Sequence, residues 1–177
     1  ALDYSSGFID AAKKLQQSGT IQYKIPTEGQ LSTDCQTSLE SLISSTIANR
    51  VTFQTGDACN LLDEMNNYDL VFAGNLIDRL YQPQLFLDSI TQRIRAGGWL
   101  VITSPYTWLE DYTPPSYWLG GYIDNTGIPI DTFTGLSKAL HPHFKLGCRE
   151  DIPFVIRETG RKHQYTIAEL TAWHRVE

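Results

Sequence analysis

One apolar run in the middle of the chain constrains the fold more than any other feature. Residues 69–73 read Asp-Leu-Val-Phe-Ala, and Gly74-Asn75 ends the run abruptly. A short apolar run of this kind is typical of a strand buried on both faces of a parallel sheet. Asp78 and Arg79 follow just beyond it. Since ligands bind at the carboxyl ends of strands in open α/β sheets, the run predicts a candidate site at this edge.

The rest of the chain alternates between strand and helix patterns. A strand end at 1–5 leads into a helix that Ser5 or Ser6 caps and Gly19 ends. Further strands are expected at 20–25, 50–55 and 99–103, a turn at 26–29, and helices at 39–47, 83–94 and 133–140. Two last strands, 144–156 and 164–176, flank a short charged turn and should be antiparallel. The pattern predicts an α/β fold whose sheet is mostly parallel.

Composition excludes several classes of function. The net charge is −6 with no basic run, so we expect no nucleic-acid partner. The apolar segments are of strand length and no signal peptide opens the chain, which favours a soluble, cytoplasmic protein without a membrane partner. Residues 1–177 are most simply one domain. His141 and His143 have an H-x-H spacing, but their place at a helix-to-strand joint favours a solvated turn, and we expect no metal.

The order of elements carries a resemblance to a known family. The strand ends at Asp3, at Asp57-Ala58 and at Asn75, the Gly97-Gly98 turn and the final antiparallel pair resemble the class I S-adenosylmethionine-dependent methyltransferases. The resemblance implies a Rossmann-like three-layer α/β sheet and S-adenosylmethionine as cofactor.

Four motifs resemble one branch of that family more narrowly. They are LIDRLY at 76–81, SPYTWLED at 104–111, WLGG at 118–121 and DIPFVIRETGRK at 151–162. They are similar to the methyltransferase domain of ovothiol biosynthesis, a 4-mercaptohistidine ring N-methyltransferase that is commonly the C-terminal part of 5-histidylcysteine sulfoxide synthase. The resemblance implies a thiohistidine substrate and the parent sulfoxide synthase domains in the same polypeptide.

The chain departs from the family at its start. The family's first strand and glycine-rich turn should precede Asp3, and no G-x-G occurs in the sequence. We therefore expect an N-terminally truncated methyltransferase domain whose central strand has an unpaired edge, and possible self-association through that edge. The alternative function is a catalytically silent binding or dimerisation module. A dinucleotide-dependent oxidoreductase is disfavoured because there is no G-x-G-x-x-G.

The resemblance implies cofactor contacts at three strand ends, namely Asp3 with Tyr4, Asp57 with Ala58, and Asn75 with Leu76. Asp3 would accept hydrogen bonds from the ribose hydroxyls, with helix capping as the alternative. Asp57 would accept from the adenine amine, with a turn aspartate as the alternative. Asn75 would hold the methionine end or the substrate, unless it only ends the strand.

The segment 104–132 and the charged turn carry the remaining candidates. A loop as long as 104–132 is usually a lid or binding loop. The substrate-binding candidates are Arg79, Tyr106, Trp108, Trp118, Arg157 and Arg161. The rings could stack on an imidazole or only pack the lid, and the guanidinium groups could bind a carboxylate or only solvate a turn. Asp78 and Glu158 are the catalytic candidates for taking a ring proton, although Arg79 could pair with Asp78 instead.

Overall fold

The computed structural model describes residues 1–41 and 45–176. The chain divides into two compact units, the first formed by Ala1–Ala58 with Val155–Tyr165 and the second by Cys59–Phe154 with Thr166–Glu177. The prediction of a single domain stays a prediction. No helix among the described residues is both long and apolar enough to span a membrane.

Strands and short helices alternate along the described residues. The strands are β1 Leu2–Asp3, β2 Thr20–Glu28, β3 Leu31–Ser38, β4 Gln54–Thr55, β5 Tyr68–Gly74, β6 Ile94–Ser104, β7 Tyr122–Ile123, β8 Pro129–Ile130, β9 Phe144–Arg157 and β10 His163–Arg175. The helices are α1 Ser6–Ser18, α2 Ser45–Ala48, α3 Pro83–Ile90 and α4 Thr132–Leu140, with 3₁₀ turns at Leu39–Ser41, Ile77–Arg79 and Pro115–Tyr117.

The first unit contains two small sheets and α1. The strands β1 and β4 pair in parallel, and β2 and β3 form an antiparallel hairpin. The predicted start and end of α1 are confirmed, since the Ser5 side chain accepts a hydrogen bond from the Phe8 backbone N–H and Gly19 takes a left-handed φ of 73°.

The second unit is built on a four-stranded sheet in the order β5-β6-β10-β9. β5 and β6 are parallel, and β10 runs antiparallel to β6. A five-residue turn at 158–162 joins β9 to β10, so these two neighbours run in opposite directions as predicted. Fully buried side chains from α3, β6 and α4 form the core, among them Leu87, Leu100, Ile102 and Leu136. The α/β class and the final antiparallel pair are confirmed.

Several predicted boundaries in the first unit are wrong. Of the turn expected at 26–29, residues 26–28 belong to β2, with a bulge beside Pro26, and Gly29 lies in the turn that joins β2 to β3. The strand β3 was missed because its sequence lacks an apolar alternation. The strand expected at 50–55 is reduced to β4. In the helix expected at 39–47, Leu42 and Ile43 lie outside the described residues.

Two predictions in the second unit are also corrected. Ile94 begins β6 rather than ending α3, and it is fully buried there. The strand β5 is not buried on both faces, since Leu70 is 54% and Phe72 62% exposed. Leu70 and Phe72 are two residues apart and so share one face of β5, which is also the edge strand of the described sheet.

Candidate functional site

The first unit brings two of the candidate carboxylates to one sheet edge. Asp3 lies opposite Thr55 in the parallel pair, and the Gly56 backbone N–H donates to the Asp3 carbonyl at 3.0 Å. Asp57 therefore follows the strand beside the one that Asp3 ends. A Cβ on Gly56 would lie 2.5 Å from Leu2 Cδ1, so the Leu2 side chain would have to shift to make room for it.

The Asp3 carboxylate has a local structural role and an open oxygen. Its Oδ1 accepts from the Ser5 backbone N–H at 2.8 Å, which orients the turn into α1. Among the described residues its Oδ2 makes no hydrogen bond, and Asp3 and its neighbour Tyr4 are both exposed. Asp57 and Ala58 are half-buried at the end of β4. A carboxylate with one oxygen open can accept a hydroxyl or amine hydrogen from a ligand.

In the second unit, Asn75 closes the end of β5. It has a positive φ of 49°, which asparagine tolerates better than most residues. Its backbone N–H donates to the Thr103 carbonyl at 2.8 Å, and the Thr103 hydroxyl donates to Asn75 Oδ1 at 3.2 Å. The side chain is thus held by β6, while Leu76 is half-buried beside it.

Asp78 is fully buried and forms a hydrogen-bonded cluster with Arg79 and Thr107, called the Asp78 clasp below. Its Oδ2 accepts from Arg79 Nη1 at 2.9 Å, from the Thr107 backbone N–H at 3.0 Å and from the Thr107 hydroxyl at 3.1 Å. Arg79 also donates to the Thr107 carbonyl and hydroxyl oxygens and lies over the Tyr112 ring. Asp78 Oδ1 is buried and has no partner among the described residues. The ion pair between Asp78 and Arg79, which was the alternative to catalysis expected from the sequence, therefore forms and holds residue 107 in place. The catalytic role of Asp78 stays a prediction.

The two candidate tryptophans contact each other. Their rings stack with centroids 6.2 Å apart and an interplanar angle of 20°. Trp108 Nε1 donates to the Thr132 hydroxyl at 2.9 Å, and Trp118 Nε1 donates to the Thr113 carbonyl at 2.8 Å. These contacts are packing contacts within 104–132, and an aromatic box around a ligand stays a prediction.

The segment 104–132 packs closely against α4. A Cβ on Gly135 would lie 1.7 Å from the Leu119 carbonyl oxygen, so backbone touches backbone there. Thr113 is fully buried and its hydroxyl donates to the Leu80 carbonyl at 2.6 Å. The predicted lid is thus anchored at two places along its length.

Tyr106 belongs to a polar cluster that sequence reasoning missed. Its hydroxyl donates to Glu169 Oε1 at 2.8 Å, and Arg149 Nε donates to Glu169 Oε2. Burial, followed by the hydrogen bond to Glu169, raises the pKa of Tyr106 well above its ordinary value. Glu169 lies opposite Ser104 at the carboxyl end of β6, so the cluster stands at the predicted edge. The available signal was a glutamate within an otherwise apolar stretch of β10.

The charged turn contains the remaining candidates, in the first unit. Glu158 pairs with Lys162 at 2.5 Å, and Arg157 Nε donates to the Thr159 carbonyl at 3.2 Å. Arg157, Glu158 and Arg161 are all exposed. Their substrate and catalytic roles stay predictions. Among the described residues, no group of three or more His, Cys, Asp or Glu side chains could hold a metal ion.

Comparison with known proteins bears on the fold. No family model matches the chain, and no curated protein matches it. An S-adenosylmethionine-dependent methyltransferase from Methanosarcina mazei superposes with a TM-score of 0.57 at 12% identity, over 99% of this chain and 80% of that one. A structure concerned with the conversion of a disulfide bond into a thioacetal group during echinomycin biosynthesis has a TM-score of 0.58 at 13% identity, over 99% of this chain.

A third solved structure, the [4+2]-cyclase SpnF, has a TM-score of 0.54 at 16% identity over 99% of this chain. The chain spans 65% of the echinomycin-pathway chain and 66% of the cyclase chain. At these identities the likeness concerns the fold and not the activity. The chain therefore has the Rossmann-like α/β fold of the class I methyltransferases.

Proposed function

We propose that the chain binds S-adenosylmethionine and transfers its methyl group to a small molecule. The observation that carries the proposal is the pairing of β1 with β4, which places Asp3 and Asp57 after neighbouring parallel strands. The donor set fits the cofactor, because ribose hydroxyls and the adenine amine are hydrogen-bond donors and carboxylates only accept. When bound, the cofactor supplies a methyl group activated by a sulfonium leaving group.

For the acceptor we propose a ring nitrogen of 5-thiohistidine, also called 4-mercaptohistidine, which gives ovothiol. The support is the resemblance of the motifs at 76–81, 104–111, 118–121 and 151–162 to that branch of methyltransferases. An imidazole that carries a thiolate is a good nucleophile, so the protein's main task is in-line placement, worth up to several kcal/mol.

The candidate side chains differ in how well they suit that task. Arg157 and Arg161 are exposed guanidinium groups that could bind the amino-acid carboxylate in a bidentate manner. The phenol of Tyr106 is held by Glu169 and would offer its ring rather than its hydroxyl. For the ring proton, Glu158 has the more accessible carboxylate, whereas Asp78 is enclosed by its clasp.

Mass spectrometry of the products tests the proposal. Protein incubated with S-adenosylmethionine and 5-thiohistidine should yield S-adenosylhomocysteine and a product heavier by one methyl group. Histidine without the sulfur is the matched substrate control and should react far more slowly. Methylation of both compounds at equal rates would contradict the proposed acceptor, and turnover of neither would leave the alternative below.

The alternative, a binding or dimerisation module, is favoured by one observation. The edge strand β5 exposes Tyr68, Leu70 and Phe72, and an apolar edge of this kind is a template for another chain. Sedimentation of the wild type against Phe72→Lys tests it. A concentration-dependent dimer that the lysine abolishes supports self-association through β5, and a wild type that stays monomeric contradicts it.

A further inference from the structure

A polar cleft lies in the second unit, at the opposite end of β5 from Asn75. It has a volume of about 410 Å³, and its donor side chains are Asn66, Asn67, Gln92, Arg93, Arg95 and Arg175. β5 and β6 begin there and β10 ends there, so the cleft is at the amino edge of the parallel strands. Asn75 lies at the other end of β5, roughly 20 Å away by strand rise.

The charge of Arg93 is only partly neutralised in this cleft. Its side chain is 9% exposed, and it donates to the Leu61 carbonyl at 3.1 Å and the Asp63 carbonyl at 3.2 Å. The carboxylate that faces it belongs to Asp63, at 3.4 Å, on a side chain that is fully exposed to water. Arg93 Nε is buried and has no partner among the described residues. A buried cation with so loosely held a counter-charge is costly, and a bound anion would reduce that cost.

Two further guanidinium groups line the cleft. Arg95 is 49% exposed and pairs with Asp69, whose side chain is 82% exposed, at 2.5 Å. Arg175 donates to the Ile94 carbonyl. The counter-charges of Arg93 and Arg95, on Asp63 and Asp69, are thus both on side chains that are largely exposed to water, in a chain whose net charge is −6.

We propose that this cleft binds a small molecule that carries a phosphate or diphosphate group. Planar guanidinium groups bind phosphate oxygens in a bidentate manner, and the amide side chains supply further donors. The volume is within the range of small-molecule sites, and within the second unit the cleft is at the opposite end of β5 from Asn75. The inference depends on the described residues of the second unit alone and is independent of the proposed methylation.

Calorimetric titration with pyrophosphate at low ionic strength tests the proposal. The wild type should bind one pyrophosphate saturably, and Arg95→Gln should weaken binding by roughly tenfold or more, because a charge-assisted contact is lost. Arg95 is half-exposed, so this variant should keep its fold, which thermal melting checks. Arg50→Gln removes the same charge from an exposed position in the first unit and should leave pyrophosphate binding unchanged.

Each of four outcomes would overturn the proposal. The first is an absence of saturable binding to the wild type, and the second is an equal loss of affinity in Arg95→Gln and Arg50→Gln, which would indicate diffuse attraction. The third is tighter binding of citrate than of pyrophosphate, which would indicate a carboxylate site instead. Affinity for S-adenosylhomocysteine should be the same in Arg95→Gln as in the wild type, and a parallel loss of both ligands would show that the cleft is not a separate site.

Discussion

At the scale of single residues, Asp3 is the side chain on which the proposed cofactor site depends most directly. Asp3→Asn keeps an oxygen for the Ser5 backbone N–H but removes the charge, so its effect on the turn into α1 should be small. We expect it to weaken S-adenosylhomocysteine binding by about 1.5–3 kcal/mol, as for hydrogen bonds to charged groups. Calorimetry measures this, with Asp10→Asn on the exposed face of α1 as control. An unchanged dissociation constant would remove Asp3 from the site.

Asp78 is expected to matter for stability. Replacing it with alanine removes the acceptor for Arg79 and for the Thr107 backbone N–H, and leaves a partly buried cation without its counter-charge. We predict a loss of about 3 kcal/mol in the free energy of unfolding, measured in urea. Asp69→Ala breaks an exposed pair and should cost less than about 1 kcal/mol. Equal losses in the two variants would contradict a structural role for the clasp.

Tyr106 gives a prediction in the alkaline range. Its pKa is raised in the folded state by burial and then by the hydrogen bond to Glu169, so the unfolded chain loses this proton at a lower pH than the folded chain does. Above pH of about 10 the unfolded state therefore binds fewer protons, and stability falls as pH rises. The slope of the unfolding free energy against pH between 9.5 and 11, roughly this window, should be shallower in Tyr106→Phe. Identical slopes would show that the phenol ionises freely.

Some residues of the candidate site could be predicted from the sequence, and others could not. The positions of Asp3, Asp57 and Asn75 at strand ends could be predicted because apolar patterns end there, and strand ends can be located in a single sequence, whereas their binding roles stay predictions. Glu169 and Arg149 were missed because their meeting with Tyr106 depends on the pairing of β10 with β6, which brings together residues far apart in the chain. The buried Asp78 was recognised as a candidate, but its three hydrogen bonds to residues 79 and 107 could not be derived from spacing.

At the scale of elements, the packing of segment 104–132 against α4 is the most testable contact. Gly135→Ala places a Cβ against the Leu119 carbonyl, where backbone cannot give way cheaply. We expect a loss of about 1–3 kcal/mol or more in unfolding free energy, as for overpacking. Gly7→Ala in α1 meets only the Ser5 hydroxyl oxygen at 3.7 Å and should stabilise the chain slightly. If Gly135→Ala left the free energy of unfolding unchanged, the segment 104–132 would be able to move away from α4 at little cost.

Elements with a strong apolar pattern were predicted well, and those without one were not. The central residues of β6, α4 and β10 lie where the apolar pattern predicted a strand, a helix and a strand. In contrast, β3 is polar along most of its length, and its extended conformation depends on pairing with β2. The end of α3 was placed too late because Ile94 continues the helical spacing by chance, while its burial belongs to β6. Tertiary pairing overrides local periodicity at such boundaries.

At the scale of the whole molecule, the fold does not decide the chemistry. The chain superposes on an S-adenosylmethionine-dependent methyltransferase and on a [4+2]-cyclase with TM-scores of 0.57 and 0.54. The same scaffold therefore carries different reactions, and the function must come from the site. Methylation is proposed because carboxylates stand at the ends of β1 and β4 and because four motifs resemble thiohistidine methyltransferases.

Binding of S-adenosylhomocysteine is the sharpest test of the proposed cofactor site. Calorimetry on the wild-type chain should show saturable binding of one S-adenosylhomocysteine that excess NADH does not displace, because the strand ends offer acceptors for ribose and adenine and the chain has no G-x-G-x-x-G that would place a dinucleotide there. Displacement of S-adenosylhomocysteine by NADH would indicate a dinucleotide site at this edge, and no binding of S-adenosylhomocysteine would contradict the claim that the carboxyl edge is its site.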